Sequence, residues 1–385
     1  MKLPIDLMAV IEAATDIESA RSTPVSVSVL IDDSAPGDVA AHVRSAFVGA
    51  GAHARVTVGY FAGPAFSPYE GDDMAVIVAG FSEEVGRRAA EIRAAGVPVM
   101  VVTSMPSLVA DMASAYGNPI PEGDLVAPEG VEGCEADGDA ACASGEVAGA
   151  HVSVFAGIRA AKSAGAAAGS AGAAASSPDA LDAPIPIDAA AACALDRRMG
   201  EWVVAACREK RLALALSFPF VRKPLSLEAV SATSLQNAGI GLVLFIPGAD
   251  MPLMTLNQAK MLLQIAAAYG EPMSAARVKE LAAIVAGGFA CRSVARQVAG
   301  AVPAIGWAVK AGVGYAGTKA MGLAAVEYFE RGGNIAGLAG VVSSATAKAT
   351  QIAGDVAATP AGARVLSTVK TAVRQGAASV LKKTE

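Results

Sequence analysis

Between residues 25 and 105, short runs of β-branched and other apolar residues alternate with stretches of helical length and spacing. The runs are VSVSVLI at 25–31, ARVTVGYF at 54–61, MAVIVAGF at 74–81 and VPVMVVTS at 97–104. Alternation of this kind is typical of a parallel sheet whose strands are joined by crossover helices. We therefore expect residues 1–118 to form an α/β sheet domain.

The first strand-to-helix turn of that domain reads IDDSAPGDVAAHVR, and parallel sheets bind ligands at such turns. A phosphate loop needs GxxxxGK[ST], whose amides and lysine hold the phosphates. Here the turn has one glycine and no lysine, and it carries three carboxylates, those of Asp32, Asp33 and Asp38. The sequence therefore predicts a domain without a functional P-loop, used as a docking body.

Residues 119–194 are rich in Ala, Gly, Ser, Pro and acidic residues, and they hold too few bulky side chains to build a core. We expect a disordered linker, in which HVSVFAGI at 151–158 is the one piece that could add a strand. Cys134, Cys142 and His151 fit no standard zinc spacing, so no metal site is expected. Five scattered cysteines and acidic residues in the first helix-like stretch favour reduced thiols in a cytosolic setting without a signal peptide.

The charge of the chain is distributed unevenly. Residues 1–200 hold 11 Lys and Arg against 26 Asp and Glu, a balance of −15, whereas residues 201–385 hold 19 against 10, a balance of +9. An acidic first half and a basic, apolar second half suggest different environments. The second half could face anionic lipid or the first half.

The stretch from 232 to 249 contains no charged residue and approaches the ~20 apolar residues that a helix needs to span a bilayer. Asn237 and Pro247 interrupt it, so its length is marginal for a span. After a turn, Thr255 and Gln258 match the capping-box pattern of a helix start. We expect an amphipathic helix lying on a surface, ended by Gly270 and Pro272.

Small residues dominate the predicted helix at 302–333, where Pro303 suits the first turn. They form two rows at a spacing of four: Ala308, Gly312, Ala316, Ala320 and Ala324, and then Gly314, Thr318 and Gly322. Such rows let two helix backbones approach closely, particularly in membranes. The predicted partner is the 232–249 segment or the same helix of a second copy. A membrane hairpin and a tightly packed soluble bundle both fit.

Residues 235–333 resemble the bacterial family called domain of unknown function 697. The resemblance rests on LNQAKMLLQIAAAYGEP (256–272), GGFACRSVARQVAGAVPAIG (287–306) and AGTKAMGLAAVEYFERGG (316–333). The residues that match its recurrent positions are Asn257, Tyr269, Gly270, Pro303, Thr318, Gly322 and Tyr328. The family is described as membrane proteins that accompany Era-like GTPases. The resemblance implies a first domain that is a degenerate GTPase-like or Rossmann-like sheet, and it assigns no catalytic residue.

These observations favour a non-enzymatic, membrane-associated scaffold or GTPase-linked accessory protein at the cytoplasmic membrane. The expected partners are the lipid bilayer, an Era-like GTPase and a second copy of the chain, with no nucleic acid and no cofactor. The remaining domains are a helical domain with a hydrophobic hairpin at 195–333 and an Ala-rich helical tail with a basic end at 334–385. Candidate interaction residues are the seven family positions together with Arg292 and Gly312. The alternatives are a soluble interaction protein with an α/β head and a helical bundle, and a nucleotide-binding regulator.

Overall fold

The computed structural model describes residues 17–61, 71–128, 185–243, 250–274 and 306–334, and also the single positions 279, 337, 338, 340 and 341. The chain divides into two compact units. The α/β unit comprises Ser26–Gly49 and Arg55–Trp202, and the helical unit comprises Met1–Val25, Ala50–Ala54 and Val203–Glu385. The described residues that precede the first strand thus belong with the helices, which differs from the predicted domain 1–118.

The α/β unit contains the predicted parallel sheet. Its elements are β1 (Val25–Ile31), α1 (Gly37–Val48), β2 (Ala54–Tyr60), β3 (Met74–Val78), α2 (Glu84–Ala94), β4 (Val99–Val102), α3 (Pro106–Ala115) and β5 (Leu125–Val126). The strand order is β2-β1-β3-β4-β5. β1 pairs with β3, β3 with β4 and β4 with β5, all in parallel, with Val27 opposite Met74 and Ala75 opposite Val99.

The burial of the strands explains why the sequence of the α/β unit shows such distinct apolar runs. Every residue of β3 and of β4 is buried, so these strands are apolar without alternation, as expected for a sheet covered on both faces. β2, at the edge, is half-exposed or exposed along its length. The order β2-β1-β3-β4-β5 is the flavodoxin-like doubly wound order, whose switch point lies between β1 and β3.

Both ends of the predicted linker belong to the fold. β5 lies within it, and α4 (Ala189–Ala206) begins before its predicted end. Arg198 of α4 donates to the carbonyl oxygen of Ala127 at 2.7 Å. Cys193 takes part in a disulfide, which corrects the expectation of a reduced thiol at this position, whereas Cys207 is a buried, reduced thiol. The central part of the linker, 129–184, lies outside the described residues.

The described part of the helical unit contains α5 (Arg211–Ser217), α6 (Pro219–Val243), α7 (Asp250–Ala268) and α8 (Gly306–Glu330), with a helical turn at 17–21. Its core is one cluster of buried apolar side chains drawn from α6, α7, α8 and the N-terminal segment, including Ile17, Val230, Leu262, Met321 and Phe329. A residue from near the start of the chain therefore completes a core made mostly from its second half.

The helix α7, which was predicted to lie on a surface, instead contributes to the core of the helical unit. α7 begins at Asp250, so Thr255 and Gln258 are inside it, both almost fully buried, and they are not its cap. Six apolar side chains along the helix are buried: Met261, Leu262, Leu263, Ile265, Ala266 and Ala267. Gln264 is exposed and Asn257 and Lys260 are half-buried, so the predicted polar face exists but is narrow. The other sides of the helix are buried, which corrects the prediction that it lies on a surface.

The helices that the structure describes include none that is both long enough and apolar enough to cross a membrane. The stretches 244–249 and 342–385 lie outside the described residues, as do Arg292 and Pro303. Gly312 lies in α8, and the surroundings of its Cα are not described.

Candidate functional site

The carboxyl edge of the sheet is where doubly wound folds bind their ligands. Asp32, which directly follows β1, is 3% exposed. Its Oδ2 accepts hydrogen bonds from the amides of Gly80 (2.9 Å) and Ser82 (3.2 Å), which follow β3. Its Oδ1 accepts from the amide of Ser34 at 3.1 Å. A carboxylate of the chain itself thus occupies the donors at the switch point.

The two loops at this point are in direct contact. The Ser34 hydroxyl donates to Asp32 Oδ2 at 2.9 Å and accepts from the amide of Phe81 at 2.7 Å. A Cβ added to Gly80 would lie 2.3 Å from the carbonyl carbon of Ser34. Since no side chain fits between the loops, Gly80 is required for the close approach. Successive amides that converge on one anion form the kind of concave donor group that binds phosphate in other proteins.

Four polar side chains meet between α6, α7 and α8. Thr318 Oγ1 accepts from Asn237 Nδ2 at 2.9 Å and from Gln258 Nε2 at 2.8 Å. Asn257 Nδ2 donates to Asn237 Oδ1 at 3.1 Å. Asn237 and Thr318 are completely buried and Gln258 is 2% exposed. This polar cluster fixes the mutual register of the three helices, because a slip of one residue would leave buried amides without acceptors.

Gly322 and Thr318, on the second of the two predicted rows of small residues, face α6. A Cβ on Gly322 would lie 2.4 Å from Val230 Cγ2. The close approach therefore occurs on the second row, and its partner Val230 lies on α6 just before the predicted 232–249 segment. Within that segment, Asn237 contacts Thr318. On the first row, Ala320 and Ala324 are half-buried.

The other predicted interaction residues form structural contacts. Tyr269 stacks on Phe329 with a ring separation of 6.1 Å. Gly270 has φ +88° and ends α7, with its amide bonded to Ala267 O and that of Glu271 to Ala266 O. Tyr328 accepts from the amide of Asn334 at 3.2 Å through its hydroxyl. These roles are local folding roles.

Arg21 reaches across to the same helix end. Its Nη1 donates to Glu271 O at 2.8 Å and its Nη2 to Gly270 O at 3.0 Å. A cation that donates to the last carbonyls of a helix satisfies orphan acceptors and interacts favourably with the helix dipole. The N-terminal segment is thereby fastened to α7.

Beside this contact lies a pocket of about 340 Å³, all within the helical unit. Four parts of the chain line it: the chain around Arg21 and Thr23, the loop that contains His53, α5 and α6 with Ser217 and Arg222, and Gly270 at the end of α7. Among the described lining residues none carries a carboxylate. Burial lowers the pKa of Arg222, and the nearby Tyr269 partly offsets this effect. Burial, the largest cause, and the charge of Glu330 raise the pKa of Tyr269.

His42, on α1, is ion-paired within the α/β unit. Its Nε2 lies 2.7 Å from Asp196 Oδ1 of α4, and both side chains are partly exposed. The hydrogen bond to Asp196 raises the pKa of His42, burial opposes the shift, and attraction to the carboxylate adds to it. The pair joins α4 to the first crossover helix. Within the described parts of the chain, no group of His, Cys, Asp and Glu side chains could hold a metal ion.

Sequence reasoning did not single out Gln258, Arg21 or Arg222 as site residues. Gln258 carried a signal, because an amide among apolar residues in a helix indicates a buried polar contact. Arg21 and Arg222 carried none, since their partners are distant in sequence or are backbone atoms.

Compared with known proteins, the chain matches no family model, no curated protein and no solved structure. The resemblance to domain of unknown function 697 therefore stays a prediction that rests on its quoted motifs.

Proposed function

We propose that the protein is a non-enzymatic scaffold whose α/β unit has lost, or never had, a nucleotide site. The observation that carries this proposal is the position of the Asp32 carboxylate on the amides of Ser34, Gly80 and Ser82. A bound phosphate would need those donors. Because Asp32 is part of the chain, its effective concentration at the amides exceeds that of a ligand in solution.

The finer assignment of the sheet to a degenerate GTPase-like or Rossmann-like fold also belongs to this proposal. The resemblance of residues 235–333 supports partnership with an Era-like GTPase. The strand order supports a doubly wound sheet of the flavodoxin-like order, which differs from the Rossmann order 3-2-1-4-5-6. In the proposed scaffold, the sheet serves as a docking body and the helical unit holds the family-like residues.

The test of the scaffold proposal is calorimetric titration of the full chain with GTP and with ATP in the presence of magnesium. The titration is repeated on Arg222→Gln, so that the arginine-lined pocket of the helical unit makes no contribution. We expect no saturable binding to Arg222→Gln. Micromolar binding that survives Arg222→Gln and disappears in Gly80→Ala would overturn the proposal and favour the nucleotide-binding regulator.

Association with the cytoplasmic face of a membrane is the second part of the proposal. It is supported by the +9 charge of residues 201–385, since basic segments are attracted to anionic lipid surfaces, and by the family resemblance. Fractionation of lysed cells, followed by carbonate and detergent washes of the pellet, measures this directly. We expect the chain in the membrane pellet. Recovery of all of it in the high-speed supernatant would contradict the membrane part and favour the soluble interaction protein.

A further inference from the structure

We propose that the pocket formed by residues 20–23, 51–53, 213–222 and Gly270 of the helical unit binds a phosphate monoester. The pocket measures about 340 Å³, near the lower end of the roughly 300–1,000 Å³ found for small-molecule sites. Its size suits a small phosphorylated compound or one lipid headgroup, and this function is independent of the sheet.

Arg222 is the principal cation in the lining of this pocket. Its Nε donates to Ala215 O at 3.2 Å, which fixes the direction of the side chain. Among the described residues, its two terminal nitrogens have no hydrogen-bond or ion-pair partner, and they are not among the fully buried unpartnered atoms. Partial burial of a guanidinium whose terminal nitrogens have no anionic partner lowers the stability of the folded state. Arginine forks match the oxygen spacing of phosphate and carboxylate.

The remaining lining adds positive charge and hydroxyl groups. Arg21 lies in the wall with its terminal nitrogens engaged by Gly270 O and Glu271 O, so it contributes charge rather than free donors. Among the described residues it has one ion-pair partner, Glu18, which is 3.7 Å from Arg21 Nε, exposed, and outside the lining. His53 is exposed at the opening, and Thr23 and Ser217 carry hydroxyls.

The arrangement of these groups favours phosphate over carboxylate. The groups come from three separate segments and therefore approach a ligand from different sides. A tetrahedral dianion can use donors from several directions and gains from more than one nearby cation, whereas a planar monoanion is satisfied by a single fork. The amide of Gly51, bonded to Ser217 O at 3.1 Å, fixes the loop against α5 and keeps the opening in shape.

The experiment uses the full chain at fixed ionic strength and compares two sources of the same phosphate group. Inorganic phosphate and glycerol 3-phosphate are titrated by calorimetry, and vesicles of phosphatidylcholine with and without phosphatidic acid are tested by co-sedimentation. We expect saturable binding from at least one source. Binding of glycerol 3-phosphate identifies a soluble ester as the ligand, and binding of phosphatidic-acid vesicles alone identifies a lipid headgroup.

Variants decide whether the binding is at this pocket. Arg222→Gln should weaken it about tenfold or more, the loss expected for one charge-assisted hydrogen bond. His53→Glu, at an exposed position where the fold tolerates change, should weaken it similarly by placing a negative charge at the opening. Arg208→Gln is the matched control, because Arg208 is an exposed arginine of the same unit that donates to Ala205 O and lies outside the pocket. It should bind as wild type does.

Three results would overturn the proposal. The first is the absence of saturable binding from both sources. The second is equal binding by wild type, His53→Glu and Arg222→Gln. The third is equal affinity for acetate, which would show that the pocket does not select phosphate.

Discussion

Gly322 of α8 lies against Val230 of α6 so closely that a methyl group on the glycine would meet both γ-carbons of the valine, at 2.4 and 2.8 Å. Valine in a helix has one strongly preferred χ1 rotamer, so Val230 cannot relieve the clash by changing rotamer. The contact sets the distance between α6 and α8, the two longest helices among the described residues of the helical unit.

Gly322→Ala should therefore lower the free energy of unfolding by about 1–3 kcal/mol through overpacking. Gly317→Ala is the control in the same helix, because a Cβ there has nothing within 4 Å. It should raise the free energy of unfolding by about 0.5–1 kcal/mol through helix propensity. Urea denaturation of both purified variants measures the two effects. If Gly322→Ala is as stable as Gly317→Ala, the helices are not in close contact at this point.

The polar cluster predicts a second stability effect. Thr318→Val keeps the shape of the side chain but removes the oxygen that accepts from Asn237 and Gln258. We expect a loss of about 1–3 kcal/mol, because buried donors lose their acceptor. Ser234→Ala is the control: Ser234 is equally buried, but its hydroxyl donates only within its own helix, to Val230 O.

A double-mutant cycle separates the cluster from general disruption. If the donor and acceptor interact, Thr318→Val combined with Gln258→Leu should cost less than the sum of the two single changes. Additive losses in denaturant titrations would show that the hydrogen bond contributes nothing of its own.

The His42–Asp196 pair predicts a dependence of stability on pH. Its partner raises the pKa of His42 in the folded state above the usual value of 6.5. The folded state therefore holds the proton more tightly than the unfolded state does, so the pair stabilises the fold fully below pH 6.5. That contribution is lost as the pH rises through the folded pKa.

Asp196→Asn should be less stable than wild type in mildly acidic solution, and the difference should shrink as the pH rises. Urea denaturation at a series of pH values measures it, and the NMR titration of the His42 ring gives the pKa directly. A difference that grows with pH would mean that the imidazole is held neutral in the folded protein.

The hydrogen bonds to Asp32 predict that a bound anion can take the place of its carboxylate on the backbone amides of the two loops. Asp32→Ala removes the acceptor of three amides and should cost about 1–3 kcal/mol in buffers without coordinating anions. Phosphate or sulfate should restore part of the lost stability by occupying the vacated donors. The measurement is the melting temperature with and without phosphate for Asp32→Ala, wild type and Asp111→Ala, an exposed control on α3. A phosphate effect of the same size in all three proteins would come from the pocket at Arg222 or from salt, and it would contradict replacement of the Asp32 carboxylate by an anion.

The sheet could be predicted because β3 and β4 are uninterrupted apolar runs between turn residues, and because β1 is rich in β-branched residues, with Val alternating with Ser before Leu30 and Ile31. β5 was missed because its two residues, Leu125 and Val126, are too few to make a pattern. The start of α7 was misplaced because Thr255 and Gln258 match a helix cap, and only the position of α8 shows that they face inward. The contact of Arg21 with Gly270 spans 249 positions of sequence, so no local pattern could indicate it.

Completion of the helical unit by Ile17 and Arg21 has a consequence for how the protein is made. Ribosomes deliver the N-terminus first, and here that segment must remain undocked while more than two hundred further residues are synthesised. The sheet can assemble early, whereas Ile17 has no core to enter until α7 and α8 have emerged. A newly made chain therefore exposes an apolar segment during translation, which is the kind of surface that chaperones recognise.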